Sequence, residues 1–539
     1  MERLKLPKGI QTFEKIRTGG FIYVDKTQYL VDLINQSGIY FFARPRRFGK
    51  SLTVTTFDAL FSGRKELFKG LAAEEFMNRP DFKPSPVIRI DMSIVNTSEG
   101  IEGIKESILY ITRDVARKLK VKLSDTKLYG ILLHELITRT AEKYNRKVVV
   151  LVDEYDKPYT DFVNDPDMAE QVRVVLRNFY TQIKASDEHI RFLFITGISK
   201  FTKLGVFSTL NNLDDISMMP EFARICGYTE EEIIRYFPDY MEDTANAMGI
   251  SVGELIEKMR LYYNGFSFDD EAAVRFYNPF SILMFFDKKR FSNFWFQSGT
   301  PKFISDYLKG KNLTVEQFRN YPVPYHFLEN PGDLDSTTPE GFLYQSGYLT
   351  LRPGLSDALS LDYPNREVLD SMSELVAQNI LRDKDEDFSG CRNDLLSGLM
   401  TVNPDKVISA LNRLLSCIPY DDFTEAAKKS ISNNNYDMTP QEWLYRSNIL
   451  SFLRGSGVVV VAEMHTNKGR ADLVVAHKGQ TWVIELKVAH KGQSAEKKAD
   501  EAFRQLIDQN YAGPFPNATC LAVAIDDNER KITASRIIR

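Results

Sequence analysis

The sequence predicts an α/β protein with a parallel sheet in its N-terminal half and a second, smaller α/β domain near its C-terminus. Residues 39–61 read as a buried strand, a basic loop and a buried helix. Residues 148–154 are five consecutive aliphatic residues followed by two carboxylates. Aliphatic runs without alternation are typical of strands covered on both faces of a parallel sheet. From residue 438 the pattern changes to a helix, three strands, a helix and further strands.

Length and composition set outer bounds on the fold and on function. A chain of 539 residues is too long for one hydrophobic core and predicts three or four domains. Its net charge of −4 provides no global positive field, so contact with nucleic acid would need a local basic patch. Four separated cysteines indicate free thiols, and six histidines without metal-ligand spacing argue against zinc. No segment approaches the length of a membrane span, so we expect a cytoplasmic protein without membrane contact.

The stretch from residue 39 to residue 61 has the outline of a phosphate-binding loop. Backbone N–H groups at the start of its helix would surround phosphates, Lys50 would reach the terminal phosphates, and the Ser51 hydroxyl would bind Mg²⁺. Arg44 stands where the usual pattern has its first glycine. The alternative is a basic surface turn before a core helix. The residues expected to contact the nucleotide here are Arg46, Arg47, Phe48, Gly49, Lys50, Ser51 and Leu52.

Two carboxylates follow the strand at residues 148–152, and the carboxyl end of such a strand faces the ligand crevice of an open α/β sheet. Asp153 is expected to hold Mg²⁺, and Glu154 to act as the base that polarises an attacking water. Thr196, at the end of the strand in residues 191–197, is expected to hydrogen-bond the γ-phosphate. The alternative for Asp153 and Glu154 is a solvated acidic turn. The alternative for Thr196 is an ordinary strand-to-loop exit. Arg173 and Arg177 lie one helical turn apart and could neutralise phosphate charge or form a solvated face.

The middle of the chain reads as connecting structure. A long helical stretch is predicted over 101–143, and Thr229 followed by Glu232 predicts a capped helix start in a small helical lid. The aromatic run from 261 to 296 more readily packs a domain junction than stacks nucleic-acid bases. Residues 342–351 are predicted as a strand and 371–430 as a helical spacer. The predicted domains are the sheet domain 1–215, the lid 216–300, a mixed and then helical linker 301–430, and the C-terminal domain 431–539.

The C-terminal segment contains a candidate metal site. Glu485 and Lys487 are two residues apart on one predicted strand, so their side chains leave the same face, where Asp472 from the neighbouring strand can meet them. Two carboxylates and the Leu486 carbonyl suit Mg²⁺ or Mn²⁺, which activates water, while Lys487 positions the nucleophile. A solvated Lys–Glu strand face is the alternative. Further candidates are Glu463 and Glu442 as metal ligands, Gln505 as an orienting residue, a turn at 467–469, and a basic patch of Lys487, Lys491, Lys497 and Lys498.

The motifs RPRRFGKS, LVDEYD, FITGISKF, YYNGFSF and YNPFSIL resemble the bacterial AAA-ATPase-like family common in Bacteroidetes, whose members carry a C-terminal PD-(D/E)XK nuclease-superfamily domain. Arginine in place of the first glycine matches this family. The resemblance implies a P-loop NTPase parallel sheet with a helical lid, a helical spacer and a C-terminal PD-(D/E)XK domain of order αβββαβ. It also implies ATP binding and metal-dependent cleavage of DNA, by analogy in defence against foreign DNA.

Two alternatives stay open within this interpretation. The chain could be a nucleotide-switched binding or scaffold protein whose nuclease-like domain holds DNA or protein without cutting it. It could also be a plain ATPase that does not respond to nucleic acid. A homo-oligomer, with an arginine from a neighbouring subunit completing the ATP site, is left open as well.

Overall fold

The computed structural model divides the chain into two compact units. Unit 1 comprises Met1–Gly299 and Val323–Glu367, and unit 2 comprises Thr300–Pro322 and Val368–Arg539. The structure describes residues 3–36, 38–162, 164–198, 213–297, 304, 308, 313–323, 338–354, 359–382, 387–418, 424–465 and 470–538. The predicted turn at 467–469 lies outside these residues.

Unit 1 is built on a parallel five-stranded sheet of order β2-β3-β4-β1-β5. Because all its strands run the same way, their carboxyl ends meet at one edge, and the N-terminal parallel sheet predicted from the sequence is confirmed. In β3 every residue is buried, as expected of a strand covered on both faces. The strands are β1 (Ile39–Ala43), β2 (Val87–Asp91), β3 (Val148–Asp153), β4 (Ile190–Gly197) and β5 (Leu213–Asp215).

The helices of unit 1 surround this sheet and continue past it. The capping box predicted at Thr229 and Glu232 is present, with each side chain bonded to the other residue's backbone. The helices are α1 (Phe13–Thr18), α2 (Thr27–Gln36), α3 (Lys50–Phe61), α4 (Ala73–Asn78), α5 (Gly100–Lys118), α6 (Tyr129–Tyr144), α7 (Lys157–Thr160), α8 (Pro166–Ala185), α9 (Glu230–Tyr236), α10 (Pro238–Met248), α11 (Val252–Tyr263), α12 (Pro279–Lys288), α13 (Phe294–Gln297) and α14 (Pro339–Ser346).

Two sequence predictions in this unit are wrong in detail. The helical stretch 101–143 is two helices, because residues 119–128 leave the helical path between α5 and α6. The strand predicted at 342–351 begins as α14, since the Thr338 side chain caps that helix and Gly347, at φ +88°, ends it. The strand that follows forms the antiparallel hairpin of β6 (Thr350–Pro353) and β7 (Leu359–Asp362).

Most of the aromatic run between residues 261 and 296 is buried in the interior of unit 1. Tyr263, Phe285 and Phe286 join one hydrophobic cluster with residues of α9 to α11. Rings packed in this way have no free face for a nucleic-acid base. The run therefore serves packing rather than base stacking.

Unit 2 packs helices against a mixed five-stranded sheet of order β12-β11-β10-β9-β8. Only the β10–β11 pair is parallel. The predicted αβββαβ order is confirmed. The elements are α15 (Arg366–Arg382, which begins in unit 1), α16 (Phe388–Met400), α17 (Pro404–Cys417), α18 (Thr424–Asn434), α19 (Pro440–Gly455), β8 (Val459–His465), β9 (Arg470–His477), β10 (Gln480–Ala489), α20 (Ala495–Asp508), β11 (Thr519–Asp526) and β12 (Lys531–Ile538).

Shorter elements complete the described structure. The strand Tyr321–Val323 spans the sequence boundary between the units. Short 3₁₀ segments are Lys65–Phe68, Met92–Ile94, Asp187–His189, Pro220–Ile225 and Glu316–Phe318. The four cysteines are all free and buried, as expected from their spacing.

Candidate nucleotide and metal sites

Lys50, the first residue of α3, is buried beneath the loop that precedes it. Its Nζ donates to the carbonyl oxygens of Arg44 at 2.9 Å and Pro45 at 3.1 Å. Burial lowers the pKa of Lys50, and the nearby carboxylates of Glu154 and Asp153 oppose that effect. The ammonium group thus lies between the loop and the carboxyl end of β3, where a bound phosphate group could contact it.

Arg44, at the position of the missing glycine, is a structural residue. Its guanidinium lies between the rings of Phe42 and Phe268, 4.3 Å from each centroid. It donates to the carbonyl oxygens of Ser217 at 2.6 Å and Ala223 at 3.4 Å. Burial lowers the pKa of Arg44 to about 10, so the side chain keeps its charge at neutral pH. Arg44 anchors the start of the loop to the end of the sheet.

The loop turns at Arg47 and Gly49, which have φ values of +68° and +107°. Residues with a side chain rarely adopt such backbone angles. Glycine is therefore strongly preferred at position 49, where the helix begins. The carbonyl oxygen of Arg46 accepts hydrogen bonds from Asn278 Nδ2 at 3.4 Å and Trp295 Nε1 at 3.2 Å. Residues more than two hundred positions away therefore hold the loop in shape.

Glu367 holds Trp295 through a hydrogen bond to its backbone. Its carboxyl accepts hydrogen bonds from the Trp295 backbone N–H and the Ser281 hydroxyl, both at 2.7 Å. Glu367 is fully buried, and burial raises its pKa to about 8. Glu367, Trp295 and Arg46 thus form a chain of hydrogen bonds that ends in the loop.

Ser51 lies close enough to Asp153 for its hydroxyl to oppose the rise that burial causes in the pKa of that carboxyl. Glu154 follows at φ +50°, and its N–H donates to Asp153 Oδ1 at 3.1 Å. Burial raises the pKa of both carboxyls, with the Lys50 ammonium opposing the rise. A hydroxyl and a carboxylate close together beside a buried lysine are the donors expected to hold the Mg²⁺ of a bound nucleotide.

Thr196 lies at the end of β4, in register with Phe42 of β1. It is fully buried, and its hydroxyl has no hydrogen-bond partner in the part of the chain that the structure describes. Thr196 is not among the described residues that line the cavity beside the loop, so its contact with a γ-phosphate stays a prediction. Arg173 and Arg177 lie on α8, where Arg173 pairs with Glu170, and neither is among the described residues that line the cavity beside the loop.

A cavity of about 340 Å³ opens beside the loop and is lined by residues 46–47, 49–52 and Glu154. Its other walls include Ile10 near the N-terminus and Phe280 and Leu283 of α12. Ligand pockets typically have volumes of about 300–1,000 Å³, so a nucleoside triphosphate can be accommodated. These apolar walls were not found from the sequence, because only the folded chain brings residues 7–11 and 279–283 to the loop.

The second site lies in unit 2, where Asp472 of β9 meets Glu485 and Lys487 of β10. Asp472 Oδ2 accepts the Leu486 N–H at 2.8 Å, and Lys487 Nζ lies 3.4 Å from Glu485 Oε1. Burial raises the pKa of Asp472 to about 6, and burial together with repulsion from Asp472 raises the pKa of Glu485 to about 8. Burial lowers the pKa of Lys487, but the carboxylates of Glu485, Asp472 and Glu442 outweigh it and raise that pKa. The three predicted residues are brought together.

These donors fit a divalent cation. Glu485 is fully buried and Asp472 is half-buried, and the two carboxyl groups share one lysine. Carboxylate oxygens are the ligands preferred by Mg²⁺ and Mn²⁺, and a divalent cation would offset the repulsion between the two carboxylates. Across the described ranges, no cluster of three or more His, Cys, Asp or Glu side chains is placed to hold a metal ion. Leu486 takes part through its N–H, and a role for its carbonyl stays a prediction.

The other predicted ligands have different partners. Glu442 closes the capping box of α19, where its carboxylate accepts the Thr439 N–H at 2.9 Å. Gln505 Nε2 lies 3.1 Å from the Tyr511 hydroxyl. Glu463 forms a part-buried ion pair with Arg446, a residue that was not among the predicted site residues. The sequence feature that could have indicated Arg446 is its position on α19, one helical turn after Glu442.

The predicted basic patch is partly neutralised. Lys498 pairs with Glu501 at 2.7 Å on the same helix, and Lys487 belongs to the metal site. Lys491 and Lys497 are exposed. The patch is therefore weaker than its four lysines suggested.

Comparisons with known proteins match the segments that contain the two candidate sites. A family model described as "Predicted AAA-ATPase" matches residues 7–207, and one described as "PD-(D/E)XK nuclease superfamily" matches residues 440–534. A protein of Azotobacter chroococcum mcd 1, named "Uncharacterized protein in vnfD 5'region", is 34% identical over 527 residues. That match covers 96% of this chain and 94% of the relative. Among the described residues, every helix is too short or too polar to cross a membrane.

Proposed function

The chain belongs to the predicted AAA-ATPase family whose members carry a PD-(D/E)XK nuclease-superfamily domain, and from this premise we propose that it is an ATPase coupled to a metal-dependent deoxyribonuclease. Unit 1 would bind and hydrolyse ATP with Mg²⁺. Unit 2 would cleave DNA with Mg²⁺ or Mn²⁺. The observation that carries the second half is the meeting of Asp472, Glu485 and Lys487 on neighbouring strands, where Asp472 Oδ2 accepts the Leu486 N–H at 2.8 Å and Lys487 Nζ lies 3.4 Å from Glu485 Oε1.

The ATPase half of the proposal is supported by the cavity beside Gly49, Lys50 and Ser51. The first-turn N–H groups of α3 and the Lys50 ammonium bind the phosphates. Ser51 and Asp153 would hold Mg²⁺, which would supply positive charge beside the phosphates. Glu154, with its pKa raised by burial, accepts a proton from the attacking water.

Thr196 completes this arrangement. Its unpaired hydroxyl at the end of β4 donates to the γ-phosphate and so distinguishes ATP from ADP. The hydrogen bond would be lost on hydrolysis, which gives the site two states. An arginine from a neighbouring subunit in a homo-oligomer would add to the charge stabilisation.

In the nuclease half, Asp472 and Glu485 hold the cation and Lys487 orients the attacking water. The cation supplies a Lewis acid for the scissile phosphate. Lys487 lies beside Glu485, where its ammonium stabilises the negative charge that develops on the phosphate. We further propose that ATP binding or hydrolysis gates cleavage, and that foreign DNA is the target.

The experiment that tests the proposal incubates the purified full chain with supercoiled plasmid DNA, with and without ATP and Mg²⁺. We expect Asp472→Ala and Lys487→Ala to abolish nicking while ATP binding stays intact. Lys50→Met should abolish ATP binding and remove any effect of ATP on nicking. Exposed Lys478 and Lys69 provide matched controls as Lys478→Ala and Lys69→Met, which should behave as wild type.

The outcomes separate this proposal from its alternatives. Equal nicking by wild type and both site variants would refute the nuclease assignment. A nucleotide-switched scaffold would bind DNA in an ATP-dependent way without cutting it. A plain ATPase would hydrolyse ATP at a rate that DNA does not change. Protection against an incoming plasmid in cells, lost with Asp472→Ala, would support a role in defence.

A further inference from the structure

Glu463 has two arginine partners beside the candidate metal site. Arg446, on α19, pairs with one carboxylate oxygen, and Arg470 Nη1 lies 3.8 Å from the other. Two guanidinium groups on one carboxylate give the group a net positive charge. Carboxylates held in this way are occupied, so Glu463 is poorly placed to serve as a metal ligand.

Arg446 keeps hydrogen-bonding capacity that these contacts do not use. Its side chain is only 3% exposed, and within the described residues its Nε and Nη2 have no hydrogen-bond partner. Its guanidinium stacks over the Tyr436 ring at 4.6 Å, which fixes the orientation of the group. Nε and Nη2 share one edge of the guanidinium, the edge that binds two oxygen atoms of a phosphate or carboxylate.

The arginine pair adjoins the metal site. The antiparallel register of β8 and β9 puts Glu463 opposite Asp472, and Arg470 lies two residues from Asp472 on the same strand. Both the Arg446 and the Glu463 charges act on the Asp472 carboxyl. Glu463 also has a φ of +51°, and backbone strain at a non-glycine residue often accompanies a functional site.

We propose that Arg446, Glu463 and Arg470 form a phosphate clamp, in which Glu463 orients two guanidinium groups to bind a phosphodiester of DNA next to the metal site. Arg470, which is 40% exposed, makes the first contact with the backbone. Arg446 anchors Glu463 and offers its unpaired edge once the phosphate is seated. This clamp rests on the proposed nuclease function and names how that site holds its substrate.

The test measures DNA and metal binding separately. A fluorescein-labelled DNA duplex is titrated with the full chain in Ca²⁺, and its anisotropy is followed at several salt concentrations. We expect Arg470→Gln to weaken DNA binding by ~10-fold or more and to reduce the salt slope by about one, because a charge is lost. Arg446→Lys keeps its charge but loses the two-donor guanidinium edge, so it should weaken DNA binding by a similar factor with little change in salt slope. Arg536→Gln is the matched control, since Arg536 is a part-exposed, ion-paired arginine on β12, the opposite edge strand of the sheet.

Metal binding distinguishes the clamp from a metal-ligand role. Calorimetric titration with Mn²⁺ should give Glu463→Gln an affinity within about two-fold of wild type, while its DNA binding falls as in the arginine variants. Loss of a side chain that hydrogen-bonds and orients a metal ligand typically costs ~10-fold or more in metal affinity, and loss of a ligand itself costs at least as much. A drop of that size in Mn²⁺ affinity for Glu463→Gln would overturn the clamp.

Further outcomes keep the proposal open to refutation. DNA affinity and salt slope unchanged in Arg470→Gln would also overturn it, whatever happens at buried Arg446. If Arg446→Lys fails to fold, as judged by circular dichroism, Arg470→Gln and Glu463→Gln still decide the question. Failure of the nuclease function itself looks different, because wild type would then leave supercoiled plasmid DNA uncut with Mg²⁺ or Mn²⁺, whatever its affinity for the duplex.

Discussion

Glu367→Gln is expected to stabilise the protein at neutral and alkaline pH. Glu367 is fully buried, and its contacts with Trp295 and Ser281 come from neutral donors. Its protonated form resembles glutamine in shape and charge. The variant therefore keeps the hydrogen bond from the Trp295 N–H and avoids ionisation in the interior.

The magnitude follows from the pKa of Glu367, which burial raises from 4.5 to about 8. Below pH 4.5 both the folded and the unfolded states are protonated, and stability is fully present. Between pH 4.5 and about 8 only the unfolded state ionises, so the free energy of unfolding falls by about 1.4 kcal/mol per pH unit. Stability is thus lost as pH rises, by about 2.7 kcal/mol from pH ~5.5 to ~7.5. Glutamine does not titrate and escapes this loss.

The assay is calorimetric melting of the full chain across this pH range. We expect the melting temperature of Glu367→Gln relative to wild type to rise by about 3–5 °C from pH ~5.5 to ~7.5. Glu271→Gln, at an exposed position of the same unit, controls for the change of charge and should show no such trend. A difference between Glu367→Gln and wild type that stays constant with pH would refute a buried neutral carboxyl.

Four further predictions follow from single residues. Arg44→Met should lower the free energy of unfolding by ~3 kcal/mol in chemical denaturation, because it leaves buried carbonyl oxygens unpaired. Gly49→Ala should lower it by ~1 kcal/mol or more and weaken ATP binding in calorimetric titration, because φ is +107° there. Thr439→Ala should cost ~1 kcal/mol through loss of the α19 capping box, also read by denaturation. Asp472→Asn should raise the melting temperature of the metal-free protein and abolish its rise with Mn²⁺, since repulsion with Glu485 and the cation site disappear together.

Local patterns in the sequence were enough to predict the parts of the fold that carry chemistry. The unbroken aliphatic run before Asp153 predicted a strand covered on both faces, and β3 is buried throughout. The period of two between Glu485 and Lys487 predicted a shared strand face, and the two side chains lie in contact. In both cases the signal spans only a few residues, so tertiary structure did not need to be known.

Other features depend on contacts that short patterns do not contain. In the sequence, Arg44 only departs from the usual phosphate-loop pattern. In the fold it donates a hydrogen bond to the Ser217 carbonyl and lies over the Phe268 ring, and both residues are distant in the chain. Glu463 is a further candidate metal ligand in the sequence, on the strand before Asp472. Its arginine partner Arg446 comes from another element, and nothing in the sequence around Glu463 indicates the pairing.

The hydrogen bond between the Trp295 indole and the Arg46 carbonyl gives unit 1 an intrinsic optical probe. Of the three tryptophans in the chain, Trp295 is the one in this unit, and its ring also packs against Tyr348. Indole emission depends on the polarity and hydrogen bonding around the ring. Binding of ATP at the loop should therefore shift the emission maximum of tryptophan fluorescence without any added label.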